Sequence, residues 1–100
     1  MTEVRWHPAA AAEARAVRRW YRDEQDAPDA ALAFQAELRM AVEQIAAAPG
    51  RWPVLVDDLR KRPLRKYPYR VVYRHRGSEV LIVAIMHEKQ YPSYWRDRLP

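Results

Sequence analysis

The sequence predicts an α+β domain: an N-terminal strand, an antiparallel helical hairpin packed on an antiparallel three- to four-stranded sheet, and a short C-terminal tail helix. Three observations carry this expectation. Ala31, Phe34, Leu38, Ala41, Ile45 and Ala48 recur at alternating steps of three and four, the period of a helix with one buried face. Tyr67 to His75 and Glu79 to His87 are rich in Tyr, Val and Ile and are divided by Gly77-Ser78, as in a β-hairpin. The helical segments come together ahead of the strands, an order that implies two layers.

Each element has its own signal. Thr2 to Trp6 alternates, with Val4 and Trp6 on one side, and suits an edge or half-buried strand. His7-Pro8 breaks it, and proline fits the first turn of a helix running to about Gln25. Ala9, Ala12, Ala16, Val17 and Trp20 are read as its buried face, with Arg15, Arg18, Arg19 and Arg22 as a solvated one. Asp26 to Asp29 is a turn in which Asp29 is expected to cap the second helix, which Pro49-Gly50 stops. Arg51 to Asp58 connects the layers, with a short strand at Val54 to Val56. Leu59 to Leu64 follows as a strand that Pro63 confines to an edge. Adjacent apolar residues at Val71-Val72 and Val80 to Ile85 imply that both faces of the central strands are partly covered. Tyr91 to Arg98 reads as a short helical tail.

Composition sets the outer limits. One hundred residues make a single domain, 1–100, and a hydrophobic content of 49% with only two glycines predicts a folded globule. The absence of cysteine excludes disulfides and thiolate ligands and fits a reducing cytosol, so a cytoplasmic location is expected. Met1 to Trp6 carries no signal pattern. Val80 to Met86 is far shorter than the roughly 20 apolar residues a bilayer requires. No cofactor or metal is expected: His7, His75 and His87 are widely separated, and two glycines cannot form a phosphate-binding loop.

The net charge of +5 is unevenly distributed. Residues 1–59 hold seven Lys/Arg against ten Asp/Glu, whereas residues 60–100 hold eleven against three. Between Arg60 and Ser78 there are eight basic residues and no acid. A field sorted in this way attracts phosphates or an acidic peptide. The surface expected to meet such a partner comprises Arg60, Arg62, Arg65, Lys66, Arg70, Arg74, Arg96 and Arg98.

Four segments in order resemble the RelE/ParE superfamily of toxins from type II toxin–antitoxin pairs. These are the opening strand with Pro8-Ala9 and Trp20-Tyr21; Phe34, Glu37-Leu38, Ile45 and Pro49 followed by Trp52-Pro53; Tyr67-Pro68-Tyr69-Arg70-Val71-Val72-Tyr73; and Ala84 to His87 with Pro92, Tyr94-Trp95-Arg96 and Arg98. The match spans essentially the whole chain. The resemblance implies a growth-inhibiting toxin silenced by a cognate acidic antitoxin that wraps around it. It also implies a division by target, between RelE-like cleavage of messenger RNA on the ribosome and ParE-like poisoning of DNA gyrase. Gln90 stands where many relatives carry arginine.

Cleaving RNA takes a base for the 2′-hydroxyl, cations for the charged phosphorus centre and an acid for the leaving oxygen. Arg70, Arg74 and His87 are the candidates if the chain is RelE-like, placed on one open sheet face with Tyr91 and Tyr94 following. The same residues also fit structural roles. Arg70 and Arg74 can solvate a hairpin, His87 can tie the tail to the sheet, and Tyr94 and Trp95 can anchor that tail with Arg96 and Arg98 outside it. The ending and the lack of a convincing acid–base set favour a ParE-like toxin acting on gyrase. The alternatives are a RelE-like endoribonuclease, the only enzymatic reading, and a non-toxic nucleic-acid-binding module.

Overall fold

A computed structural model of the chain describes residues 2–90 and 93–99. The elements run β1 (Glu3–Trp6), α1 (Pro8–Arg19) with a π-helical turn (Trp20–Glu24), α2 (Pro28–Ala47), β2 (Val54–Val56), β3 (Leu59–Pro63), β4 (Tyr69–Arg76), β5 (Glu79–His87) and a 3₁₀ turn (Arg96–Arg98). The class is the expected α+β, with both helices on one face of the sheet. The sheet has five strands in the order β1-β5-β4-β3-β2. It is mixed rather than wholly antiparallel, because β1 joins it as a parallel edge beside β5.

Local chemistry sets the boundaries of the helices. His7 caps α1, its ring Nδ1 accepting from the Ala9 amide at 3.0 Å. The cap of α2 is Ala27, with Pro28 in its first turn, so Asp29 sits inside the helix and does not cap it. The buried stripe of α2 is Ala31, Phe34, Leu38, Ala41 and Ile45, as the periodicity requires. The stripe of α1 is only partly the one expected: Val17 is buried, but the buried alanines are Ala10 and Ala14, and Trp20 is exposed. Past Arg19 the helix widens into a π turn, in which the Gln25 amide donates to the Trp20 carbonyl at 3.0 Å. Tyr21 there turns inward to meet Phe34 and Tyr67.

In the sheet, β3 is covered by β4 on one side and by β2 at its start on the other. Pro63 is tolerated because β2 pairs only with Leu59 and Arg60 and leaves the outer side of Pro63 unpaired. Gly77, at φ +57, takes the left-handed position in the β4–β5 turn. The β4–β5 register steps from Val72↔Ala84 to Tyr73↔Ile82, so Val83 is an extra residue, a β-bulge.

Each sheet face carries a cluster of buried apolar residues. Val71, Tyr73, Val80, Ile82 and Ile85 face the helices. Val72, Val83, Ala84 and Met86 face the C-terminal segment, where Trp95 is only 1% exposed. One side-chain cluster joins the layers. β1 ends its pairing at Ile82, leaving the edge of β5 without a strand partner further along. There the Glu13 carboxylate of α1 accepts from the Ile85 amide at 3.0 Å, and Arg98 donates to the Val83 carbonyl at 3.0 Å. Arg98 also binds both Glu13 oxygens at 2.9 Å, and the Tyr94 hydroxyl donates to Glu13 at 2.8 Å. These bonds to Glu13 hold the Arg98 pKa above the ordinary guanidinium value, and burial raises that of Tyr94. Arg98 therefore lies within the protein and not outside the tail crevice.

Two outcomes follow from this packing. Glu13→Gln leaves the Arg98 cation, 16% exposed, without its counter-charge. Stability in urea should fall by about 3 kcal/mol, with faster exchange of the Ile85 amide. A loss within error of zero would remove Glu13 from this role. The second outcome concerns Tyr73, which is fully buried, donates to the Pro49 carbonyl at 2.5 Å, and is pushed by burial up to about 12. An unfolded tyrosine ionises at about 10, so the stability held by this proton is complete below that pH. It is then lost as pH rises towards the folded value. Tyr73→Phe should flatten the alkaline limb of a stability–pH curve; an unchanged limb would contradict the assignment.

Candidate functional site

The basic residues picked out from the sequence separate into two groups once folded. Arg60, Arg62 and Arg98 are engaged by the protein itself. Arg60 donates to the Trp52 carbonyl at 2.6 Å. Arg62, 5% exposed, lies over the Trp52 ring and donates to the Pro63 carbonyl and to Gln44 of α2. Burial lowers its pKa. Alternation along β3 explains this, because Arg62 pairs with Val71 and so faces the helices. It is a core cation and not a surface contact.

The remaining members are accessible. Arg65 and Lys66 are exposed in the loop after β3, where Glu37 of α2 accepts from both backbone amides. Arg70 and Arg74 share the face opposite the helices, because Arg74 pairs with Leu59 and Arg70 with Met86, both packed on that side. Arg96 is exposed, its guanidinium 5.9 Å from the Trp95 ring centre.

The set considered for RNA cleavage is not brought onto one face. Tyr69 pairs with His87, and both belong to the helix side, where Tyr69 meets Phe34 and His87 packs edge-on against Tyr69 at 5.2 Å. Arg70 and Arg74 point the other way. The bulge at Val83 produces this: without it, strict alternation from the β-turn would place His87 on the opposite face. The His87 ring Nδ1 accepts from the Lys89 amide at 3.1 Å, and the His87 amide donates to Gln90 at 2.8 Å. Gln90, the departure from the resembling pattern, thus closes the turn after β5. Tyr91 lies outside the described residues.

Two surface depressions carry unengaged charge. One, about 510 Å³, lies on the tail side among Asp57, Asp58, Leu59, Arg74, Arg76, Trp95 and Arg96. Its cations are partly neutralised, since Arg76 donates to Asp58 at 2.5 Å. The other, also about 510 Å³, runs between the two helices on the outside of the hairpin, walled by Arg15, Arg18, Arg19 and Arg22 with Pro28, Ala31 and Leu32 beneath. No acidic residue lines this groove. The expectation that Arg15, Arg18, Arg19 and Arg22 form a merely solvated face does not anticipate this groove. The signal was available in Leu32, an apolar residue off the buried stripe of α2 and 66% exposed. Among the described residues no group of His, Cys, Asp and Glu could hold a metal ion, and no helix is long and apolar enough to cross a membrane.

The described residues form a small two-layer α+β domain, with a helical hairpin over a mixed five-stranded sheet. The chain belongs to the family of the ParE toxin of the type II toxin–antitoxin system parDE, which it matches over residues 4–92. A solved chain of the chromosomal ParDE system from P. aeruginosa superposes with a TM-score of 0.75 at 23% identity, covering 87% of this chain and 96% of that one. At that identity the likeness concerns the fold. No curated protein matches.

The tail-side depression yields one test. The hydrogen bond from Arg76 holds the Asp58 pKa below the ordinary carboxylate value. The group thus adds stability above that ordinary value and loses it as pH falls through the lowered one. Both side chains are more than a third exposed, so solvent screening keeps that contribution small. Arg76→Ala should return the Asp58 carboxyl resonance to a midpoint of about 3.9. A midpoint that does not move would mean the pair is absent in solution.

Proposed function

We propose that this ParE-family chain arrests growth by acting on DNA gyrase and that a cognate antitoxin with an acidic segment neutralises it. Family membership over residues 4–92 gives the class. The observation that favours a protein target over RNA cleavage is the separation of His87 from Arg70 and Arg74 onto opposite sheet faces. In-line attack on a phosphodiester needs proton-transfer and charge-stabilising groups around one phosphorus atom, and two faces of a sheet cannot supply them together. A surface acting through protein contacts has no such requirement.

Arg65, Lys66, Arg70, Arg74 and Arg96 remain accessible for partner or nucleoprotein contacts, and their charge would speed association with an acidic surface. Induction of the chain alone should stop growth with DNA-damage signalling and trapped cleaved gyrase complexes, while messages stay intact. Arg70→Ala should leave that arrest in place. Truncated messages at ribosome positions, with arrest lifted by Arg70→Ala, would instead identify a RelE-like endoribonuclease. Growth without any defect would identify a non-toxic module.

A further inference from the structure

We infer that the depression on the tail side of the sheet binds a nucleoside monophosphate, its phosphate held by Arg74 and Arg96 and its nucleoside set against the β2–β3 turn. The depression encloses about 510 Å³, within the range of about 300–1,000 Å³ typical of small-molecule sites. Its walls come from distant parts of the chain: the turn at Asp57 and Asp58, the tail-facing side of β4, and the segment from Trp95 to Leu99. A smaller hollow of about 150 Å³ shares Arg74 and Arg76 with it and adds Arg5 of β1. Side chains two apart on a strand lie on one face, so Arg74 and Arg76 both project towards the tail. Arg76 is taken by Asp58 at 2.5 Å, and Arg5 lies 4.0 Å from Glu79. Among the described residues Arg74 and Arg96 form no ion pair.

Two such guanidiniums match a phosphate monoester, which carries two charges above its second pKa of about 6, better than they match the single charge of a phosphodiester. Trp95 supplies an independent sign of an occupant. It walls the depression, is 1% exposed, and its indole N–H has no acceptor among the described residues. A buried donor without an acceptor is costly, and an oxygen of a bound ligand removes that cost. The remaining lining separates an organic phosphate from a bare ion. Val56, Leu59 and Leu99 offer apolar surface to a ligand body. Asp57 is exposed and has no ion-pair partner among the described residues. Its carboxylate repels inorganic phosphate but accepts hydrogen bonds from the hydroxyls of a ribose. The same carboxylate opposes a run of phosphates, so a nucleic-acid backbone fits less well.

Isothermal titration calorimetry of the purified full chain, with adenosine monophosphate and guanosine monophosphate in parallel, should show saturable binding of at least one that weakens with added salt. Arg74→Gln and Arg96→Gln should each weaken it about tenfold. Asp57→Asn should narrow the preference for the nucleotide over inorganic phosphate. In proton–nitrogen correlation spectra, the indole signal missing from Trp95→Phe identifies Trp95, and the nucleotide should shift that signal in the unmodified chain. Circular dichroism checks that each variant is folded. Arg15→Gln combined with Arg19→Gln, on the helical hairpin, should leave the affinity within about twofold. Saturation by neither nucleotide would overturn the inference, as would equal affinity for inorganic phosphate or for adenosine. So would displacement of the nucleotide by a short DNA duplex at matched phosphate concentration, or unchanged affinity in both arginine variants. The assay involves neither growth nor gyrase. A failed nucleotide site therefore leaves the toxin reading standing, and a failed toxin reading leaves the binding measurement standing.

Discussion

The structure depends on how the edge of β5 is completed. A strand's outer row of amides and carbonyls must find partners, and β1 supplies them only as far as Ile82. Beyond that point an ion pair replaces the missing strand, with Glu13 taking the Ile85 amide and Arg98 the Val83 carbonyl. Because Glu13 belongs to the helix layer and Arg98 to the tail, the same contact holds three layers together. Trp95 is thereby pinned over Val72, Val83 and Met86. This is why β5 can be apolar at consecutive positions although helices cover only one of its faces.

The bulge at Val83 has a different kind of consequence. Side chains alternate strictly along a strand, so one inserted residue inverts the face of everything after it. Here it sends Ile85 and His87 towards the helices, and Val83 with Ala84 towards the tail. The histidine best suited by its chemistry to proton transfer is packed edge-on against Tyr69, away from the arginines that would steady a phosphate. The bulge also satisfies packing, since Ile85 enters the helix-side core and Ala84 leaves room for the tail.

The second helix and the β4–β5 hairpin were legible because each carries its own local signal. Phe34, Leu38 and Ile45 are bulky enough to fix one helix face, and Gly77 fixes a turn. The first helix is legible only in part: Val17 is buried as expected, but in a run of alanines two neighbouring stripes look alike, and the buried ones are Ala10 and Ala14 instead of Ala9, Ala12 and Ala16. Taking the correct stripe would have put Glu13 beside the buried residues, an acid in need of a partner. The parallel pairing of β1 joins residues more than seventy apart, which no local pattern reports. The bulge is hidden because every residue from Val80 to Met86 is apolar. Arg62 and Arg98 were misplaced for a related reason. Charge marks a residue as in need of a partner, but it does not say whether that partner is water, another molecule or the protein's own backbone.

That distinction also decides where the molecule's field lies. Counted along the chain, the first 59 residues are acidic and the remainder strongly basic. Folding redistributes the charge, since three carboxylates of the acidic part reach across to the basic part: Glu13 neutralises Arg98, Asp58 pairs with Arg76, and Glu37 accepts from the amides of Arg65 and Lys66. Four guanidiniums of the basic part, those of Arg60, Arg62, Arg76 and Arg98, are thereby engaged within the protein. With Glu13 turned inward, the outward face of α1 is left to its arginines. The segment that is acidic by composition therefore presents a cationic wall in which, among the described residues, only Arg22 has an ion-pair partner, while the sheet that is basic by composition presents fewer free cations than its sequence suggests.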